Sequence, residues 1–317
     1  MTTLVLEEKD YSQKALALYK KLGDVFFWRD LDEKQKNDIS AKTDILIVRL
    51  AHKIDKKWLD KMPNLKAVVS NTTGLNHLDL AEMKKRKIKV ISLKGRVSFL
   101  KNVTATAEET LGLILALARN IPWAFDDVKN GHWNRDKWKG HQMLGKKLGL
   151  LGCGRLGKIM AKYGRALGME VMACDPHVSN KSMKKSGIQK TDMKNLFHKA
   201  DVLTVHVSLE KDTENLVREK YFRMMKPSAY FINTSRGEII DERALLDALK
   251  EKQIAGAGLD VMQNEVENKH LPGNKLIDYT KNNSNLIILP HLGGAAYEAM
   301  HITEEFVANI AYKIFCK

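Results

Sequence analysis

The chain is poor in cysteine. Three in 317 residues, Cys153, Cys174 and Cys316, are too few for a disulfide framework and too dispersed for a metal-ligand spacing, so no metal site is expected. Prolines number only six and no tract is low in complexity, which leaves no candidate for a long disordered segment. No apolar run reaches the length of a membrane span. Residues 1–10 hold no basic stretch followed by an apolar core, so no secretory signal is read and a cytoplasmic protein is expected. Acid is scarcer than base, with 38 Asp and Glu against 53 Lys and Arg and a net charge of +15. The lysines are interleaved with acids along the chain rather than gathered in one block. That spread argues against a nucleic-acid partner and for a solvated surface that modestly favours anionic small molecules.

Glycine is where the chain becomes specific. The apolar run 148–151 leads into Gly152-Cys153-Gly154-Arg155-Leu156-Gly157, and a helix-like stretch 158–167 follows. Strand, glycine turn and helix in this order grip the pyrophosphate of a dinucleotide: Gly152 allows the tight turn, Gly154 the close approach of phosphate, and Gly157 the packing of helix on strand. The helix N-terminus offers N–H groups to the anion. A second strand-like run, 170–174, ends at Asp175, near the spacing of about 20 residues at which a carboxylate meets the ribose hydroxyls. A carboxylate there favours NAD over NADP, while Lys181, Lys184 and Lys185 are the residues that would reach a ribose phosphate instead. About half of the chain precedes this turn, so two domains are expected.

Both halves alternate. Strands fit 2–6, 24–28, 45–50, 65–70 and 88–92 in the first, with helices at 12–22, 57–61 and 79–87. A long helix rich in alanine and leucine spans 102–119 and is expected to end at Pro122; the segment 123–139, with Trp123, Trp133 and Trp138, lacks clear periodicity and reads as an interface or lid. Strands then fit 148–151, 170–174, 202–207, 229–233, 256–260 and 286–289, with helices at 192–198, 219–225 and 241–250. Short apolar strands separated by amphipathic helices predict an α/β chain of two doubly wound parallel sheets, each covered on both faces.

Three strand ends carry chemistry. Arg236 follows the strand 229–233, Glu265 follows 256–260, and His291 follows 286–289, all at the sheet edge where such folds bind ligands. A guanidinium binds a carboxylate and polarises the neighbouring carbonyl. An imidazole exchanges a proton with the carbonyl oxygen while hydride passes to or from a nicotinamide, and an acid on its other ring nitrogen fixes the tautomer. Singly, these residues read as a surface arginine, a loop acid and a turn histidine. Together, beside a nucleotide turn, they favour hydride transfer on a 2-keto acid. His206 is the rival base, but its place inside Val205-His206-Val207 suits a strand-end residue better.

The chain resembles the D-isomer-specific 2-hydroxyacid dehydrogenase family, which includes the phosphoglycerate dehydrogenases. Residues that carry the likeness are Asn102, Ala107-Glu108, Leu111-Gly112-Leu113, Leu144-Gly145-Lys146-Lys147-Leu148-Gly149, the glycine turn, Asn233-Thr234-Ser235-Arg236-Gly237, Gly258-Leu259-Asp260-Val261, Glu265 and Pro290-His291-Leu292-Gly293-Gly294. The resemblance implies a flavodoxin-like substrate domain, residues 1–101 plus 295–317, and a Rossmann NAD-binding domain, residues 102–294. It implies Arg236, Glu265 and His291 as catalytic residues. Arg155 and Leu156 would meet the pyrophosphate, Asp175 the adenosine ribose and Asp260 the nicotinamide amide, with Val207, Thr213 and Thr234 lining the cofactor cleft. Asn71, Thr72, Thr73 and Gly74 would hold the carboxylate of a small anionic 2-hydroxy or 2-keto acid. A homodimer formed through the cofactor domain is implied as well. Thr72 stands where many members have glycine, and Val266 follows the acid where they often have proline. Members that oxidise formate place glutamine at the position of Glu265, which disfavours that reaction. No regulatory domain is expected after the final helix. The alternative reading is an NAD(H)-binding redox-sensing scaffold or co-repressor of the same fold.

Overall fold

The computed structural model describes residues 1–265 and 273–316. The chain divides into two compact units, Met1–Val103 with Ala295–Lys317, and Thr104–Gly294. The first junction therefore falls two residues later than the sequence placed it, at the start of a helix.

In the first unit β1 (Thr2–Val5), β2 (Asp24–Phe27), β3 (Ile45–Ile47), β4 (Ala67–Val69) and β5 (Lys89–Ile91) form one sheet in the order β2-β1-β3-β4-β5, and every pairing is parallel. Such a sheet must bury both faces. Val5, Ile45, Ile47 and Val69 join one core with the helix α1 (Gln13–Lys20) and the C-terminal helix Tyr297–Phe315. Leu4, Leu46 and Val68 turn the other way, onto Leu59 and Met83, as alternate strand residues do. Asp32 and Gln35 form a reciprocal cap that starts α2 (Glu33–Lys42), a helix the apolar periodicity did not reveal because its face is largely polar. Asp55 and Asp79 cap α3 (Lys56–Asp60) and α4 (Leu80–Lys85).

The second unit opens with α5 (Ala105–Ala118) and α6 (Ile121–Lys129). Here the expectation of one helix stopped by Pro122 is corrected. The break is at Asn120, whose φ of 54° is left-handed, and Pro122 sits in the first turn of α6, where a missing N–H costs nothing. The tryptophan-bearing segment thus begins as a helix. Its remainder is gathered on Asp127, which accepts from Trp138 Nε1 at 2.8 Å, Lys137 Nζ at 2.9 Å and His132 Nδ1 at 3.1 Å. The Trp138 N–H and the Lys137 ammonium hold this carboxyl down to about 2.

There follow β6 (Lys147–Leu151), α7 (Arg155–Ala166), β7 (Glu170–Cys174), α8 (Asn180–Lys185), β8 (Gln189–Lys190), α9 (Met193–Lys199), β9 (Val202–Val205), α10 (Glu219–Phe222), β10 (Tyr230–Asn233), α11 (Glu242–Lys250), β11 (Gly256–Leu259), α12 (Lys275–Thr280) and β12 (Leu286–Ile288). The strands lie in the order β12-β11-β10-β9-β6-β7-β8, all parallel. Strand order reverses between β6 and β9, the switch point where open α/β sheets bind ligands. Leu148, Leu150 and Ile232 pack with α5 and α7 on one face, and Leu151, Leu203 and Phe231 with α9 to α11 on the other.

Candidate active site

Each glycine of the turn after β6 meets a different demand. Gly152 has φ of +98°, and a Cβ on it would come within 2.7 Å of the His206 carbonyl oxygen and 3.0 Å of Val207. That position joins the ends of β6 and β9. Gly157 packs α7 on the strand so closely that a Cβ would sit 2.3 Å from the Gly152 carbonyl oxygen. A Cβ on Gly154, by contrast, would meet nothing within 4 Å. Gly154 is also the N-cap of α7 and provides no side-chain cap, which leaves the helix N-terminus without the capping oxygen that would compete with a pyrophosphate. Arg155 and Leu156 begin that helix, and burial pulls the Arg155 guanidinium down.

Asp175 leaves the end of β7 and turns back onto the glycine turn. Its Oδ2 accepts the Cys153 N–H at 2.8 Å and its Oδ1 the His177 N–H at 2.9 Å. The carboxylate is thereby set beside the turn, and its remaining lone pairs suit the two hydroxyls of a ribose. After β9 the loop is tied by Thr213, whose Oγ1 donates to the Ser208 carbonyl at 2.6 Å and accepts the Glu210 N–H at 2.7 Å. His206 holds Thr204 Oγ1 at 2.9 Å through Nε2, and burial pushes its imidazole down to about 4, so the ring is neutral at ordinary pH.

Arg236 follows β10. Asn233 anchors its backbone, donating from Nδ2 to the Arg236 carbonyl at 2.9 Å, and Arg236 Nη1 donates to the Ser235 carbonyl at 2.6 Å. Burial pulls the guanidinium down, against the charges of Glu265, Glu238 and Asp260. Gly237 sets the loop against the acid's turn: a Cβ there would lie 2.1 Å from the Met262 carbonyl carbon, so only glycine lets this loop lie against the turn that carries Glu265. Thr234, expected at the cofactor cleft, is nearly buried and shares a 2.8 Å hydrogen bond with Thr110 of α5, which ties β10 to that helix.

His291 and Glu265 meet. His291 Nδ1 lies 2.5 Å from Glu265 Oε1, while Glu265 Oε2 accepts the Met262 N–H at 3.1 Å. A carboxylate at Nδ1 accepts a hydrogen bond from the N–H of that nitrogen, which leaves Nε2 for proton exchange. The His291 backbone has φ of +56°, a conformation that needs outside support. Asp260 provides it three times: its carbonyl accepts the His291 N–H at 2.9 Å, Oδ1 the Leu292 N–H at 2.6 Å and Oδ2 the Gly293 N–H at 2.9 Å. Thr106 of α5 adds a bond to the Gly293 carbonyl at 2.8 Å. Asp260 is thus first a brace for the His291 turn.

Asn71, Thr72, Thr73 and Gly74 belong to the first unit and follow β4. Thr72 Oγ1 donates to the Gly74 carbonyl at 2.9 Å and meets Ser70 Oγ at the same distance, and Asn71 Nδ2 reaches Thr303 Oγ1 at 3.3 Å. The hydroxyl of Thr72 closes this loop on itself. Val266 lies outside the described residues, and no cluster of three or more metal-ligating side chains occurs among the described ones. The sequence reading passed over Glu109, a half-buried acid of α5 placed beside Asp260 and Gly293. Its signal was position: three residues after Thr106 and four before Leu113, on the stripe of α5 that turns inward.

Residues 111–293 match the family described as D-isomer specific 2-hydroxyacid dehydrogenase, NAD binding domain. The chain is 31% identical over 98% of its length to a glyoxylate reductase of Thermococcus litoralis, of which the match covers 92%. It is 37% identical over 84% of its length to a D-3-phosphoglycerate dehydrogenase of Bacillus subtilis, and spans about half of that relative, 49%. In fold it is similar to a D-lactate dehydrogenase of Aquifex aeolicus, crystallised with NAD and lactic acid, at a TM-score of 0.81 and 24% identity, over 99% of this chain and 95% of that one.

Proposed function

Since the chain belongs to the D-isomer-specific 2-hydroxyacid dehydrogenase family and is an NAD-dependent oxidoreductase, we propose that it interconverts a small D-2-hydroxy acid and its 2-keto acid, with His291 as acid and base. When bound, the nicotinamide supplies or takes the hydride at C2. In reduction, His291 Nε2 gives a proton to the carbonyl oxygen of the keto acid; in oxidation it takes the same proton back. Glu265 keeps the ring in the tautomer and orientation that exposes Nε2. Arg236 binds the substrate carboxylate and draws electron density from the adjacent carbonyl. In the first unit, Asn71 to Gly74 are the residues whose backbone N–H groups suit a carboxylate. Asp175 selects NAD by accepting from the ribose hydroxyls and repelling a phosphate at that place.

The observation that carries this reading is the 2.5 Å contact between His291 Nδ1 and Glu265 Oε1 at the strand edge that also bears Arg236 and the glycine turn. Nothing in a purely structural turn calls for a paired imidazole there. His291→Gln is expected to lower kcat by about 10²- to 10⁴-fold, with NADH binding unchanged. The check is NADH oxidation across a panel of 2-keto acids, beside a fluorescence titration of the cofactor; full turnover in the variant would remove His291 from the mechanism. We propose further that the partner is a second copy of this chain, joined through the cofactor unit, and that the compartment is the cytoplasm.

A further inference from the structure

Two carboxyl groups face each other inside the second unit with room for one charge. Neither oxygen of Glu109 reaches solvent, and neither finds an N–H or O–H donor among the described residues. Beside it lies the carboxyl group of Asp260, whose charge bears on it. The two lie against the same backbone atom: a Cβ on Gly293 would be 2.9 Å from Glu109 Oε2 and 3.0 Å from Asp260 Oδ2. Two carboxylates repel; two carboxyl groups hydrogen-bond only when one of them carries a proton.

Which one carries it follows from their other contacts. Asp260 accepts the N–H groups of Leu292 and Gly293, and both bonds favour its charged form. Glu109 has no such donors. We propose that Glu109 is a positioning residue that keeps a proton at neutral pH and donates it in a hydrogen bond to Asp260, so that the pair carries one charge, on Asp260, which holds the turn that aims His291. The proposal rests on the reading of His291 as the acid and base, and it adds an alkaline limit that belongs to neither His291 nor Arg236.

The charged groups facing the pair are His291, from the turn after β12, and Arg236, after β10; His291 acts on Asp260, and Asp260 acts on Arg236. The charge that bears on Glu109 is that of Asp260. Burial, reinforced by the charge of Asp260, pushes Glu109 up to about 8. Above that pH a second charge forms beside the first, and the bond that steadies Asp260 turns into repulsion.

Infrared difference spectroscopy of the whole protein tests this without turnover. A protonated carboxyl band is expected in the wild type at pH 7, fading as pH passes about 8, and absent from Glu109→Gln. No such band in the wild type, or its persistence in Glu109→Gln, would overturn the proposal. In activity assays Glu109→Gln, whose amide N–H replaces the O–H, is expected to stay within about threefold of wild type in kcat. Glu109→Ala is expected to fall about tenfold or more, with NADH affinity little changed. Equal loss in both variants, or in neither, would also overturn it. If Glu109→Ala does not fold, the band and the Gln variant decide. His291→Gln should keep the band, so a failure of His291 as acid and base is read separately from a failure of Glu109.

Discussion

At the scale of single residues, the site is arranged by groups that do no chemistry. His291 adopts a left-handed backbone, and three hydrogen bonds from its turn to Asp260 keep it there. Asp260 was expected at the nicotinamide amide; both of its carboxylate oxygens accept N–H groups of the turn, and further lone pairs are left for a ligand. The stability of this region should depend on pH through Glu109. Its native value, about 8, lies above its ordinary 4.5, so the folded state holds a proton that the unfolded state gives up. Stability is then greatest below about pH 4.5 with respect to this group and declines as pH rises to about 8. Glu109→Gln is expected to abolish that decline, so its advantage in denaturant midpoint over the wild type should grow between those limits. A difference independent of pH would show that the carboxyl is ionised in the native protein.

Elements were legible to different degrees. Strands buried on both faces announce themselves as short, mainly apolar runs, because a polar group on either side of a parallel sheet must find a partner there. Helices with polar faces do not: α2 is marked by Asp32 and Gln35 rather than by periodicity, and the end of α5 is marked by Asn120, which tolerates left-handed backbone, rather than by Pro122. The union of α7 with β6 is the element on which dinucleotide binding depends. Gly157→Ala would place a methyl group 2.3 Å from the Gly152 carbonyl, pushing helix from strand without removing any group that touches a phosphate. NADH affinity is expected to weaken by about tenfold or more, equal to roughly 1.4 kcal/mol, with secondary structure by circular dichroism retained. Unchanged affinity in a titration would mean that the helix can shift without moving its N-terminus.

At the scale of the whole molecule, the chain returns to its beginning. The helix Tyr297–Phe315 packs Val307, Ala308 and Ala311 into the core of the first unit. It also buries Glu304, which accepts the Ser12 N–H at 2.8 Å and pairs with Arg49 at 2.5 Å. A buried pair broken on one side leaves an uncompensated charge, so Glu304→Ala is expected to cost about 3–5 kcal/mol. Hydrogen exchange should place the loss in Met1–Val103 and the C-terminal helix; a loss confined to that helix would show that the first unit stands without it. By itself, the sequence determined the parallel α/β class, the dinucleotide turn and the residue types at three strand ends, because burial on both faces, steric freedom at glycine and the chemistry of Arg, Glu and His are local properties. Only the tertiary structure decided which of them meet. The contact of His291 with Glu265, the braces from Asp260 and Thr106, and the facing of Glu109 on Asp260 join residues far apart in the chain. Their partners are chosen by how the helices pack against the sheet, and local pattern carries no record of that choice.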